Sequence, residues 1–178
     1  MPNTLVESSA ESLFLDLHKK LLRQEHPALT ELQQAALARF ELLGFPHSKH
    51  EMFTYLNTKK LVETPFSLSD ISGSVSEDFV ASHIYSGCEQ QCLVFVDGVF
   101  NGGLSRLEGV SASLIPLSEA ILDQELKDYL SETVKNENDV FASLSTAFCS
   151  DGLVCKIDDN TQISGALQVL FVSTGRNT

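Results

Sequence analysis

Basic side chains are scarce in this sequence: 12 lysines and arginines stand against 24 aspartates and glutamates, a formal net charge of −12 over 178 residues. Such a surface repels phosphate, which argues against nucleic acid or an anionic membrane as a partner. Long apolar runs are missing as well. Segments such as Leu93-Val94-Phe95-Val96 are far too short to cross a bilayer. The start, Met1-Pro2-Asn3-Thr4-Leu5-Val6-Glu7, has neither a basic region nor an uninterrupted apolar stretch, so no export leader is expected and the cytoplasm is the expected compartment. What is present, 43% hydrophobic residues, suffices to bury a core in one domain or two small ones.

Four cysteines and five histidines are present. In a reducing compartment the cysteines are not expected to form disulfides. A metal site is the sharper alternative, with His47, His50 and His83 as further ligands. Neither Cys88 and Cys92 nor Cys149 and Cys155 has the two-residue spacing of a zinc knuckle, so buried or idle thiols are expected. Catalytic patterns are equally thin. No serine follows the nucleophile-elbow pattern, and Asn101-Gly102-Gly103-Leu104-Ser105 lacks the lysine and spacing of a phosphate loop. That segment reads as a turn after a hairpin. Glu77-Asp78 and Asp158-Asp159 read as solvated turns, and His47-Ser48-Lys49-His50 as an exposed stretch beside a helix stop. The expectation is therefore no catalytic, cofactor-binding or metal-binding residue and no enzyme activity.

Organisation begins with helices. Ser8-Ser9-Ala10-Glu11 offers a capping box, after which Leu13, Phe14, Leu17 and Leu21 recur at helical spacing. Burying those four side chains contributes about 6–12 kcal/mol gross, most of it offset by chain ordering. Pro27 marks a break. A second helix is expected from Leu29 to Leu43, with Leu32, Ala36, Phe40 and Leu43 as its apolar stripe, Gly44 as a left-handed cap and Pro46 as a stop. Lys49 to Leu61 reads as a weaker helix or turn whose Phe53 and Tyr55 serve packing. Ser67 to Gln91 reads as a loop-rich connector with one strand around Phe79 to Tyr85.

Cys92-Leu93-Val94-Phe95-Val96, Asp97-Gly98 and Val99-Phe100 then form a hairpin signal, because Asp-Gly supplies the positive φ angles of a tight turn. A strand is expected from Val110 to Ile115, a helix from Ser118 to Val134, and a further helix capped by Asp139 and carrying Phe141, Leu144 and Phe148. The strands Gly152–Ile157 and Leu167–Val172 form either a hairpin or the first rungs of a β-solenoid. So apolar a last strand makes an adhesive edge unless more protein covers it, so Thr178 is expected to be a truncation.

Three segments together resemble the SufD-type subunit of the Suf iron–sulfur cluster assembly system. The first runs from Phe40 through Gly44-Phe45-Pro46 to Phe53-Thr54-Tyr55, like a helix ending at Gly-x-Pro before a charged stretch and an aromatic. The family commonly has tryptophan near Phe53, and this chain has none. The second is Leu93 to Phe100 with Leu104-Ser105. The third, Phe141-Ala142-Ser143-Leu144-Ser145-Thr146-Ala147-Phe148 followed by Asp151-Gly152, is similar to the sequence that leads into that family's β-helix. The resemblance spans Leu13 to Val172.

It implies an α+β chain with an amino-terminal helical region (1–62), a mixed connector (63–138) and the start of a parallel β-helix (139–178). It also implies a non-catalytic subunit of a cytoplasmic assembly complex. The partners would be a SufB-like subunit and a SufC-like ATPase, engaged mainly beyond Thr178, with the cluster handled by the whole complex and no cofactor in this stretch. Self-association through the truncated β-edge is a further expectation. The paralogous SufB-like scaffold is the nearest alternative. From other classes, a metal-binding or redox domain follows from the cysteines and histidines, and a small α+β enzyme ranks last.

Overall fold

The computed structural model describes residues 4–21, 27–45, 63–68, 74–136 and 138–175. The chain forms two compact units, neither of them a single consecutive stretch: residues 1–68 with 121–149, and 69–120 with 150–178.

The first unit is helical. Its elements are α1 (Thr4–Leu21), α2 (Pro27–Leu43), α5 (Gln124–Asn136) and α6 (Val140–Ala147). Helix α1 starts a turn before the expected capping box, because no glycine or proline interrupts Thr4 to Glu7. Ser8 and Glu11 therefore lie within the helix rather than at its cap. Pro27, expected as a break, is the first residue of α2, where its missing N–H costs nothing. At the other end Gly44 takes φ +64° and donates its N–H to the Phe40 carbonyl at 2.9 Å, the expected left-handed cap.

The anticipated stripes supply the core. Phe14, Phe40, Phe45 and Val140 form its centre, with Leu37, Phe66, Phe141, Leu144 and Phe148 packed around them. Phe14 meets four rings, those of Phe40, Phe45, Phe66 and Phe148, at centroid separations of 5.6–6.2 Å. Leu43 sits at the rim, partly exposed, rather than in the stripe. Polar contacts fix the helix directions. Glu31 pairs with Lys127 at 2.8 Å and Arg39 bonds Asn138, so α2 and α5 run parallel. Gln33, fully buried, donates to the Cys149 carbonyl at 2.9 Å, so α6 runs the opposite way. Asp139 caps α6 as expected, accepting from the N–H groups of Phe141 (2.7 Å) and Ala142 (3.2 Å).

The second unit holds α3 (Glu77–Ala81), α4 (Leu117–Ala120) and six strands: β1 (Gln91–Val96), β2 (Val99–Phe100), β3 (Arg106–Leu107), β4 (Ser113–Pro116), β5 (Leu153–Lys156) and β6 (Gln168–Val172). The strand expected around Phe79 to Tyr85 is instead the helix α3 and its following turns. Ser76 caps it by accepting from the Phe79 N–H at 3.2 Å, and Glu77 and Asp78 in the first turn suit a helix start. The helix expected from Ser118 to Val134 is interrupted at Ile121–Asp123, because Asp123 accepts from the Leu126 N–H and opens a new helix, α5. The strand expected from Val110 begins only at Ser113.

Strands β5 and β6 are not a hairpin. β5 pairs antiparallel with β4, matching Leu114 with Cys155 and Ile115 with Val154. β6 pairs parallel with β1, matching Leu93 with Val169 and Phe95 with Phe171. β1 is thus central, with β2 and β3 antiparallel on one side and β6 on the other. Cys92, Val94 and Val96 face a core completed by Val80, Val75, Ile84, Leu104 and Leu170. The Lys49–Leu61 segment, with His50, Phe53 and Tyr55, and the preceding Pro46 and His47 lie outside the described residues.

Candidate functional site

The feature that sets the second unit apart is its sheet edge. At the β1–β2 turn Asp97 takes φ +49° and Gly98 φ +85°, the pair of positive angles a two-residue hairpin needs. The Asp97 carboxylate then ties this turn to the end of β6. It accepts from the Thr174 N–H at 2.7 Å and, through its other oxygen, from the Thr174 hydroxyl. The Asp97 N–H donates to the Val172 carbonyl at 2.9 Å. Asp151 holds the other arm, accepting from the Phe100 N–H at 2.7 Å. At the opposite end Gln168 bridges to the turn after α3, accepting from the Tyr85 N–H (2.8 Å) and donating to the His83 carbonyl (2.9 Å).

These ties clamp β6 at both ends but leave its outer edge open. Neighbouring residues of a strand point their backbone groups to opposite sides. Since the Val172 carbonyl faces β1, so do the backbone groups of Leu170 and Gln168, and those of Val169 and Phe171 face outward. Across the sheet the rings of Phe100, Phe95 and Phe171 form a row, 5.6 Å and 5.1 Å apart. The middle ring is 7% exposed and the outermost, Phe171, 71%. Val169 on the same face is also exposed. Among the described residues β6 has no strand partner other than β1.

Hydrogen bonds from Thr174 hold the Asp97 carboxyl below the usual carboxylate range. A depressed carboxyl contributes stability that is present above its ordinary pKa and lost as pH falls through the lowered one. Melting the protein at pH 5 and pH 3 is therefore expected to show a loss that Asp97→Asn reduces. Ser105 supplies another tie, accepting from the Val94 N–H at 2.9 Å while donating to the Asn101 carbonyl at 2.7 Å. Ser105→Ala would strand an N–H of a buried residue, and a loss of about 1–3 kcal/mol in urea unfolding is expected.

Of the residues weighed as ligands, the structure describes the four cysteines and His83. Cys88 and Cys92 are buried, Cys155 is exposed on β5, and Cys149 lies in the helical unit; none of the four is in a disulfide. Burial, reinforced by neighbouring Cys88, pushes the Cys92 thiol up, so it stays protonated at neutral pH. The His83 ring lies on Phe79 at 4.4 Å, with Nδ1 2.8 Å from the Phe79 carbonyl oxygen, which makes it part of the α3 terminus. Asn101-Gly102-Gly103-Leu104-Ser105 is a turn in which the Asn101 side chain accepts from the Leu104 N–H at 3.1 Å. Among the described residues no group of three or more histidine, cysteine or acidic side chains is placed to hold a metal ion, and no helix is long and apolar enough to cross a membrane.

The sequence profile of the SufBD protein N-terminal region matches residues 6–169. The chain belongs to the SufBD family. It is also similar to an iron–sulfur cluster assembly SufBD family protein of Synechocystis sp., 26% identical over 155 residues. That match covers 84% of this chain and 33% of the relative, so the chain spans about a third of the length of the curated relative it matches. Two of the segments that resembled SufD have definite places in this SufBD region: the β1–β2 hairpin with its Leu104-Ser105 turn, and α6 leading through Asp151-Gly152 into β5. The first segment is described only as far as Phe45. The ties made by Gln168, Asp151 and Thr174 are not legible in the sequence, because a polar side chain that joins two distant backbones has no local pattern.

Proposed function

We propose that the full-length protein is a non-catalytic subunit of a cytoplasmic iron–sulfur cluster assembly complex, of the SufD type. Membership of the SufBD family carries this reading, and the name of the Synechocystis relative gives its process. The Gly44-Phe45-Pro46 helix stop favours SufD over the paralogous SufB-type scaffold. In this reading the protein works beside a SufB-like subunit and a SufC-like ATPase, bound through parts of the protein beyond Thr178, and the cluster is their common cargo. Removing the gene is then expected to lower the activity of iron–sulfur enzymes while their polypeptide levels hold. Restoration by the full-length gene, but not by residues 1–178 alone, fits the proposal; unchanged activity in the deletion overturns it.

The sheet edge has a part in the same proposal. In the full-length protein further strands continue the parallel stack on β6, as the first rungs of a β-helix. The parallel register of β1 and β6, the open backbone at Val169 and Phe171 and the exposed end of the phenylalanine row support it. The amides of Val169 and Phe171 should then be protected from hydrogen exchange in the full-length protein and unprotected in a chain ending at Thr178. Equal, fast exchange in both would sink the β-helix reading. The shorter chain is also expected to self-associate through this edge, which light scattering would register.

A further inference from the structure

The helical unit encloses a titratable ring that its packing leaves half satisfied. His18 follows Phe14 by one turn on α1 and is 1% exposed. Its ring stands edge-on to Phe148, 5.7 Å away at 82°. The Ala147 backbone is its hydrogen-bond partner, and Nε2 is buried with none. A carbonyl only accepts, so Nδ1 carries the proton given to Ala147 and Nε2 is a buried lone pair without a partner, on a ring packed edge-on to Phe148. That arrangement suits a neutral imidazole. A second proton would place an unpaired N–H and a full charge in the same enclosure.

No described charge compensates for it. On α1, Asp16, Lys19 and Lys20 are exposed, and Asp16 is paired with Lys19. On α2, Glu31 is engaged by Lys127, Arg39 by Asn138, and Glu41 is exposed. Helix α6 carries no charged side chain at all. Burial is accordingly the dominant influence on the ring and lowers its pKa from the usual 6.5, with the Ala147 hydrogen bond opposing.

We propose that His18 is an acid-sensitive latch of the helical unit, docking α1 on the C-terminal end of α6 while neutral and releasing it on taking up a proton. The released state binds the proton more readily than the docked one. Docking is therefore strongest above pH 6.5 and weakens as pH falls from there toward the lowered pKa. The limiting slope is about tenfold per pH unit, and the change between pH 7.5 and 5.5 is up to about tenfold. The depressed carboxyls of Asp97, Glu31 and Glu89 titrate below this window.

Hydrogen exchange followed by mass spectrometry on the full-length protein tests the latch, with rates corrected for the intrinsic pH dependence. Between pH 7.5 and 5.5, peptides from α1 should lose protection by up to about tenfold while those from β1 hold. His18→Leu should abolish the change. Unaltered α1 protection in the wild type, or acid loosening that survives in His18→Leu, overturns the proposal. If that variant does not fold, exchange of the imidazole Cε1 proton in the wild type reports the His18 pKa directly. A value below 6.5 supports the latch, and one at or above 6.5 refutes it.

Discussion

Phe40→Ala is expected to destabilise the helical unit by about 3–5 kcal/mol, the range for removing a fully buried phenylalanine ring. Phe40 has no exposed surface, and its ring meets Phe14 at 6.2 Å and Phe45 at 5.3 Å, both edge-on. The truncation loses the transfer energy of the ring and leaves a cavity that two helices and a capped turn cannot close. It also removes the carbon surface on which Phe45, the residue after the Gly44 cap, is seated. Leu42→Ala is the matched control. Leu42 lies two positions along the same helix and is 73% exposed, so its loss should stay within about 0.5 kcal/mol. Urea unfolding followed by circular dichroism measures both. Similar effects for the two variants would mean that α2 does not present this face to the core.

Val94→Asp is expected to be the more damaging change, because it combines lost burial with an unpaired charge. Val94 is wholly buried at the centre of β1, among Val80, Cys92 and Val96. None of those neighbours can pair with a carboxylate, so the group must either stay neutral against its ordinary pKa or break the sheet. A cost of about 3–5 kcal/mol or more is expected, enough to unfold the second unit at ordinary temperature. Val169→Asp makes an informative companion. Val169 is exposed at the β6 edge, so the substitution should be mild in a chain ending at Thr178. In the full-length protein it should be severe if further strands cover that edge. Thermal melts of both variants in both lengths separate the core from the edge, and a mild Val94→Asp would contradict the central place given to β1.

The sequence disclosed most where the structural cause was local. Asp97-Gly98 announced a hairpin because only a few residue types accept two positive φ angles in succession. Gly44 and Asp139 announced helix ends because each satisfies backbone groups within one turn of itself. The Phe79–Tyr85 stretch misled, since its apolar residues suit a strand while Ser76-Glu77-Asp78 favours a helix start, and the cap prevailed. Nothing local signals the parallel pairing of β1 with β6, because residues 97–167 intervene and the register is set by Phe95 against Phe171. His18 and Gln33 hide for a related reason. Polar residues inside an apolar stripe look like its margin until the Ala147 and Cys149 carbonyls are placed beside them.

The most direct test of the assembly reading is to isolate the tagged full-length protein from its own cells under native conditions and identify what accompanies it by mass spectrometry. SufB- and SufC-like proteins recovered in near-stoichiometric amounts are the predicted result. A protein that arrives alone, or with neither of those partners, would contradict the account.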